Sequence, residues 1–100
     1  MPLIKVGRMD DLPPGTMIEA QVHDRPVAVC NVNGQIFCVD GICPHAGGPL
    51  AGGALHGSIL VCPWHGWEFD CTTGQADVQE LRLATFPVHL QDDEILIEHP

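Results

Sequence analysis

The sequence predicts an all-β fold, an antiparallel sandwich or barrel that carries a small subdomain of two loops. Three observations lead to this prediction. Glycine and proline together make up a fifth of the 100 residues, which is typical of a chain with many turns and short strands. Apolar and polar residues alternate in several short segments, the period of a strand with one buried face. No segment shows the sustained 3.6-residue periodicity of a long helix.

The predicted strands follow one another with turn residues between them. Breaker clusters at residues 10–15, 23–26 and 92–93 separate several of the predicted strands. Residues 75–83 fit neither the strand period nor the helix period. The segments expected to be strands are residues 3–8, 16–22, 27–32, 35–40, 58–61, 67–70, 85–91 and 94–98.

Asn33-Gly34 gives the strongest hairpin signal in the chain, because a type I′ turn needs a positive φ at both central residues. A two-residue loop there places Cys30 opposite Phe37 and Cys38 opposite Val29. Cys30 and Cys38 should then point to opposite faces of the sheet. We expect both to be core thiols that neither pair in a disulfide nor bind a metal. Cys71, in a turn-like segment, is interpreted as a structural thiol.

Length and charge limit the possible functions. One hundred residues predict a single domain over residues 1–100. A net charge of −9 with only four basic residues argues against nucleic acid or an anionic membrane as a partner. The acidic surface either steers a basic partner protein or simply keeps the protein in solution. We expect a monomer.

The cysteine count and the apolar segments predict a soluble cytoplasmic protein. Five cysteines do not form a tidy disulfide framework, which favours a reducing compartment. The first residues are charged too early for a signal peptide, and no apolar stretch approaches the 18 residues or so of a membrane span.

Two short motifs carry the most distinctive chemistry. Cys43-Pro44-His45 is followed, after 16 intervening residues, by Cys62-Pro63-Trp64-His65. Each motif offers one thiolate and one imidazole, and together they make a four-ligand metal site. Zinc modules usually pair cysteine with cysteine and histidine with histidine. The mixed pairing here suits a two-iron cluster in which both cysteines bind one iron and both histidines bind the other.

In these motifs the chain resembles the Rieske ferredoxins, whose two cluster-binding boxes are similar to residues 43–50 (CPHAGGPL) and 62–70 (CPWHGWEFD). The resemblance implies a Rieske fold with one [2Fe-2S] cluster bound by Cys43, His45, Cys62 and His65. It places the cluster at the tip of two loops, in a subdomain of about residues 41–75. It also implies a carrier without catalytic residues, which passes single electrons from a flavin-dependent NAD(P)H reductase to a terminal ring-hydroxylating oxygenase.

Two other classes of protein remain open. The small subunit of NAD(P)H-dependent nitrite reductase has the same fold, and a structural zinc module would use the same ligand types. A visible absorption spectrum separates iron-sulfur from zinc, and neighbouring genes separate the two iron-sulfur classes. The remaining histidines are expected to be solvated or packed rather than ligands: His23, His56, His89 and His99.

The resemblance also bears on the reduction potential. Rieske proteins of cytochrome bc complexes carry two extra cysteines that form a disulfide, and a Ser and a Tyr that donate hydrogen bonds to sulfur. This chain has Gly48 and Trp64 at the cysteine positions, and Trp67 and Phe69 at the hydroxyl positions. A low-potential carrier is therefore expected.

The ligand assignment predicts that His45→Ala or His65→Ala abolishes the Rieske absorption and paramagnetic resonance spectra. Each change removes one of the two nitrogen ligands of a single iron. An unchanged spectrum in either variant would contradict the assignment.

Overall fold

The computed structural model describes residues 3–44, 47–64, 66–77 and 81–99. Within them, short strands form three antiparallel sheets, and two three-residue 3₁₀ helices, Met9–Asp11 and Leu50–Gly52, connect strands. The all-β prediction is confirmed. None of the helices in these ranges is long and apolar enough to cross a membrane. The strands are β1 (Leu3–Arg8), β2 (Met17–Val22), β3 (Arg25–Val32), β4 (Gln35–Asp40), β5 (Ala54–His56), β6 (Ile59–Val61), β7 (Glu68–Asp70), β8 (Thr85–Phe86), β9 (Val88–Gln91) and β10 (Glu94–Glu98).

The central sheet, in the order β2-β3-β4-β8, buries both of its faces. Alternate residues of β3 belong to two separate buried clusters, Ala28 and Cys30 to one and Val27 and Val29 to the other. The first cluster also contains side chains from the small sheet β5-β6-β7. The second contains side chains of β1 and β10, from the sheet β1-β10-β9. The central sheet therefore packs against the small sheet on one face and against the sheet β1-β10-β9 on the other.

The Asn33-Gly34 turn has the predicted geometry. The φ angles are 52° at Asn33 and 94° at Gly34, and β3 pairs with β4 so that Cys30 faces Phe37. The turn is held by Asn31, whose Oδ1 accepts a hydrogen bond from the Gly34 N–H at 2.7 Å. Cys30 and Cys38 are both buried in different clusters, so the predicted opposite orientation is confirmed.

Two predicted segments differ from the structure. The segment predicted as one strand over residues 85–91 is two strands in different sheets, because Thr85–Phe86 pairs with β4 and Val88–Gln91 with β10. Pro87 lies at the switch; it lacks an N–H, and its carbonyl accepts a bond from the Glu98 N–H at 3.0 Å. Residues 54–56 were not among the predicted strands, but they form β5, which pairs with β6.

Candidate metal centre

The two cysteine motifs fold into loops with the same backbone hydrogen bonds. The Cys43 N–H donates to the Gly48 carbonyl at 2.9 Å, and the Cys43 carbonyl accepts from the Gly47 N–H at 2.7 Å. Both loops turn through a left-handed glycine, Gly47 in the first and Gly66 in the second. Hydrogen bonds with the same spacing recur in the second loop. The Cys62 N–H donates to the Trp67 carbonyl at 2.8 Å, and the Gly66 N–H donates to the Cys62 carbonyl at 3.1 Å.

Both cysteines point into the protein. Cys43 and Cys62 are each 1% exposed and belong to the same buried cluster. None of the five cysteines, all of which lie in the described ranges, forms a disulfide. His45 and His65 lie outside the described residues, so their predicted role as ligands stays a prediction. Two buried thiols carried by equivalent loops fit the iron that has two cysteine ligands in a [2Fe-2S] site with mixed cysteine and histidine ligands.

The small sheet positions the second loop against the chain that follows the first. At Gly53, a β-carbon would clash with the Val61 carbonyl oxygen and would lie 3.1 Å from Cδ of Pro63. Val61 ends β6, and Cys62 follows it directly. Only glycine permits this approach of backbone to backbone. The base of the second loop is thereby fixed to the segment between Leu50 and β5.

Asp40 holds the chain as it enters the first loop. Its Oδ2 pairs with Nη2 of Arg25 at 2.6 Å, and its Oδ1 accepts a hydrogen bond from the Ile42 N–H at 3.2 Å. The hydrogen bond from Arg25 to this carboxylate raises the pKa of the guanidinium. The sequence reasoning missed this pair. Extending the hairpin register would have placed Arg25 opposite Ile42, diagonal to Asp40, within reach of its side chain.

The remaining thiols lie in the core. Cys30 and Cys71 are both buried and hydrogen-bonded to each other, which raises the pKa of Cys30 and lowers that of Cys71. Burial raises the pKa of Cys38 to about 12. Cys30 and Cys38 therefore keep their protons at neutral pH, as expected of structural thiols. The contact between Cys30 and Cys71 was not anticipated.

The histidines predicted not to be ligands lie away from the two loops. His89 pairs with Glu98 at 2.6 Å. His99 stacks on Phe86 with ring centroids 4.6 Å apart, and its ring centroid lies 5.6 Å from that of His23. His56 is exposed at the end of β5.

Comparison with known proteins identifies the family. A family model described as the Rieske [2Fe-2S] domain matches residues 3–87. The ferredoxin component of biphenyl 2,3-dioxygenase from Rhodococcus jostii (strain RHA1) is 34% identical over 100 residues, which cover 98% of this chain and 94% of the relative.

Solved structures show the same similarity. The ferredoxin of carbazole 1,9a-dioxygenase from Nocardioides aromaticivorans IC177 matches with a TM-score of 0.91 at 26% identity, over all of both chains. A complex of reduced oxygenase and oxidized ferredoxin in carbazole 1,9a-dioxygenase matches with a TM-score of 0.87 at 30% identity, covering 95% of this chain and 91% of the matched chain. A NADH-dependent nitrite reductase small subunit from Mycobacterium tuberculosis has a TM-score of 0.88 at 18% identity, covering 99% of this chain and 96% of that one, and shares the fold alone.

The contacts of Asp40 predict different effects for two substitutions. Asp40→Ala removes both acceptors and should release bound iron to a chelator several-fold faster, because the Ile42 N–H loses its partner. Asp40→Asn keeps an oxygen for that N–H and should lie closer to the unsubstituted protein. Bleaching of the visible absorbance measures the rate. Glu19→Ala, an exposed carboxylate in the same sheet, is the control, and a matching rate in Asp40→Ala would contradict the role given to Asp40.

Proposed function

Because the chain belongs to the Rieske [2Fe-2S] domain family, we propose that it is the ferredoxin component of an aromatic-ring-hydroxylating dioxygenase system. It accepts single electrons from a flavin-dependent NAD(P)H reductase and passes them to a terminal oxygenase. The observation that carries this proposal is similarity over almost the whole of both chains to a protein named as such a component. The similarity to the ferredoxin of carbazole 1,9a-dioxygenase supports it further.

The proposed ligands are Cys43 and Cys62 for one iron, and His45 and His65 for the other. The bound [2Fe-2S] cluster supplies one-electron oxidation and reduction. The described part of the site supports this assignment, because both thiols are buried and their loops share one backbone pattern. The protein's own part is to hold these ligands and to keep water from the thiolates.

A carrier rather than an enzyme is proposed because the relatives named above are ferredoxins of dioxygenase systems. Two cavities among the described residues, of about 380 and 390 Å³, are lined by residues outside both cysteine loops. The cysteine loops themselves expose Pro49, Pro63 and Trp64. The redox partners are proposed to dock on this face. Monomeric state and a cytoplasmic location complete the proposal.

Mixing experiments with purified partners test the function. The protein, reduced anaerobically, should be reoxidised rapidly by the oxidised oxygenase of a biphenyl or naphthalene dioxygenase system. A nitrite reductase catalytic subunit should leave it reduced, because similarity to the small subunits of those enzymes extends only to the fold. The reverse pattern would overturn the proposal, and a colourless protein that contains zinc would overturn it before any mixing.

The midpoint potential is expected near the bottom of the Rieske range, about −150 mV. Rieske proteins of cytochrome bc complexes have a Ser and a Tyr that donate hydrogen bonds to sulfur. In this chain, Trp67 and the fully buried Phe69 occupy those positions. Each missing hydrogen bond to sulfur lowers the potential by something on the order of a hundred millivolts. Protein-film voltammetry at neutral pH measures it. A midpoint well above zero would contradict the ferredoxin role.

A further inference from the structure

Trp64 lies in the second cysteine loop, and its ring reaches the first. The residue is 55% exposed, a large fraction for a tryptophan. A β-carbon added at Gly48 would lie 2.9 Å from Cγ and from Cδ2 of Trp64, and 3.3 Å from Cε3. These distances place the indole ring directly over the backbone of Gly48, with no room for a side chain between them.

Gly48 is a fixed part of the first loop. It is buried, and its carbonyl accepts the hydrogen bond from the Cys43 N–H. Its φ is not in the left-handed region, in contrast to Gly47, so the backbone does not require glycine here. The contact with Trp64 is what requires it, because any β-carbon would push the ring away.

This contact joins the outer parts of two loops that have no covalent link. Gly53 and Val61 fix the base of the second loop. Beyond that base, Cys43 and Cys62 are carried by separate turns, and neither forms a disulfide. Packing of a large flat ring against a backbone removes the apolar surface between them from water, and it also excludes water from the atoms beneath the ring.

We propose that Trp64 is a positioning residue for the metal centre, whose indole ring, seated on Gly48, holds the two cysteine loops together and shields the bound cluster from loss. The inference rests on the proposed function for the presence of a cluster. It concerns retention of that cluster, however, and not its partners. Docking of a redox partner on the exposed half of the ring is the competing role.

A double-mutant cycle tests the contact: Gly48→Ala, Trp64→Ala and the two combined. The measured quantity is the rate at which the visible absorbance bleaches in a chelator, without any redox partner. Gly48→Ala should bleach about tenfold faster, since overpacking displaces the ring. Trp64→Ala should also bleach faster. The double variant should be no faster than Trp64→Ala, because the added methyl group then has no ring to displace.

Two further variants serve as controls. Gly52→Ala adds the same methyl group in the same segment, where the nearest atom is Cγ of Pro49 at an ordinary 3.8 Å, and it should bleach at the unsubstituted rate. Trp64→Phe keeps a flat ring and should restore most of the protection lost in Trp64→Ala. If Gly48→Ala takes up no cluster, uptake becomes the readout, and the double variant should recover it.

Several outcomes would overturn the proposal. Additive effects in the double variant, equal rates for Gly48→Ala and Gly52→Ala, or absence of the expected recovery would show that the ring does not act through Gly48. An unchanged bleaching rate in Trp64→Ala with slower transfer to the oxygenase would make Trp64 a docking residue instead. Failure of the proposed function is a separate result, because a protein that binds an iron-sulfur cluster but serves another partner would still show the cycle.

Discussion

Bringing two cysteine loops from distant parts of the chain side by side is the constraint on which the rest of the structure depends. Neither loop could hold its position alone, because each is a short turn between a strand end and a glycine. The close approach of Gly53 to the Val61 carbonyl fixes the base of the second loop, and the pairing of strands in the small sheet β5-β6-β7 holds this contact in place. The central sheet then buries the thiols of Cys43 and Cys62 from below. One buried cluster therefore contains both cysteines of the motifs and side chains of the two sheets that support them.

Local signals in the sequence predicted those parts of the fold that local chemistry determines. The Asn33-Gly34 turn determined the register of β3 and β4, and with it the opposite orientations of Cys30 and Cys38. The two cysteine and histidine motifs pointed to the family for the same reason, because residue type and spacing can be read directly from the sequence. In contrast, the switch at Pro87 depends on the pairing of β8 with the distant strand β4, which leaves no periodicity in the sequence. β5 pairs with β6 across the local turn at Gly57-Ser58, but strands of three residues are too short to show a clear alternation.

The same distinction separates the residues that sequence reasoning found around the site from those it missed. Cysteine and histidine are recognised as candidate metal ligands by residue type alone, so Cys43 and Cys62 were identified directly from the sequence. Asp40 and Arg25 are ordinary charged residues whose role lies in their geometry, a carboxylate shared between a guanidinium and the N–H of Ile42. The sequence placed Gly48 and Trp64 at the positions of the two extra cysteines of the cytochrome bc proteins, but it did not predict that the two residues touch. The importance of Gly48 follows from the ring of Trp64 above it, a contact that only the structure shows.

Charge is distributed in a way that suits a carrier. The chain has a net charge of −9, yet the described residues of the two cysteine loops, 43–44, 47–49, 62–64 and 66–67, include no acidic or basic side chain. Four exposed aspartates, Asp10, Asp11, Asp92 and Asp93, lie in two turns joined by a hydrogen bond from the Met9 N–H to the Asp93 carbonyl at 2.8 Å, whereas the exposed Glu68 directly follows the second cysteine loop. In the proposed function, a partner that docks on these uncharged residues buries no unpaired charge there, so that their desolvation costs little free energy.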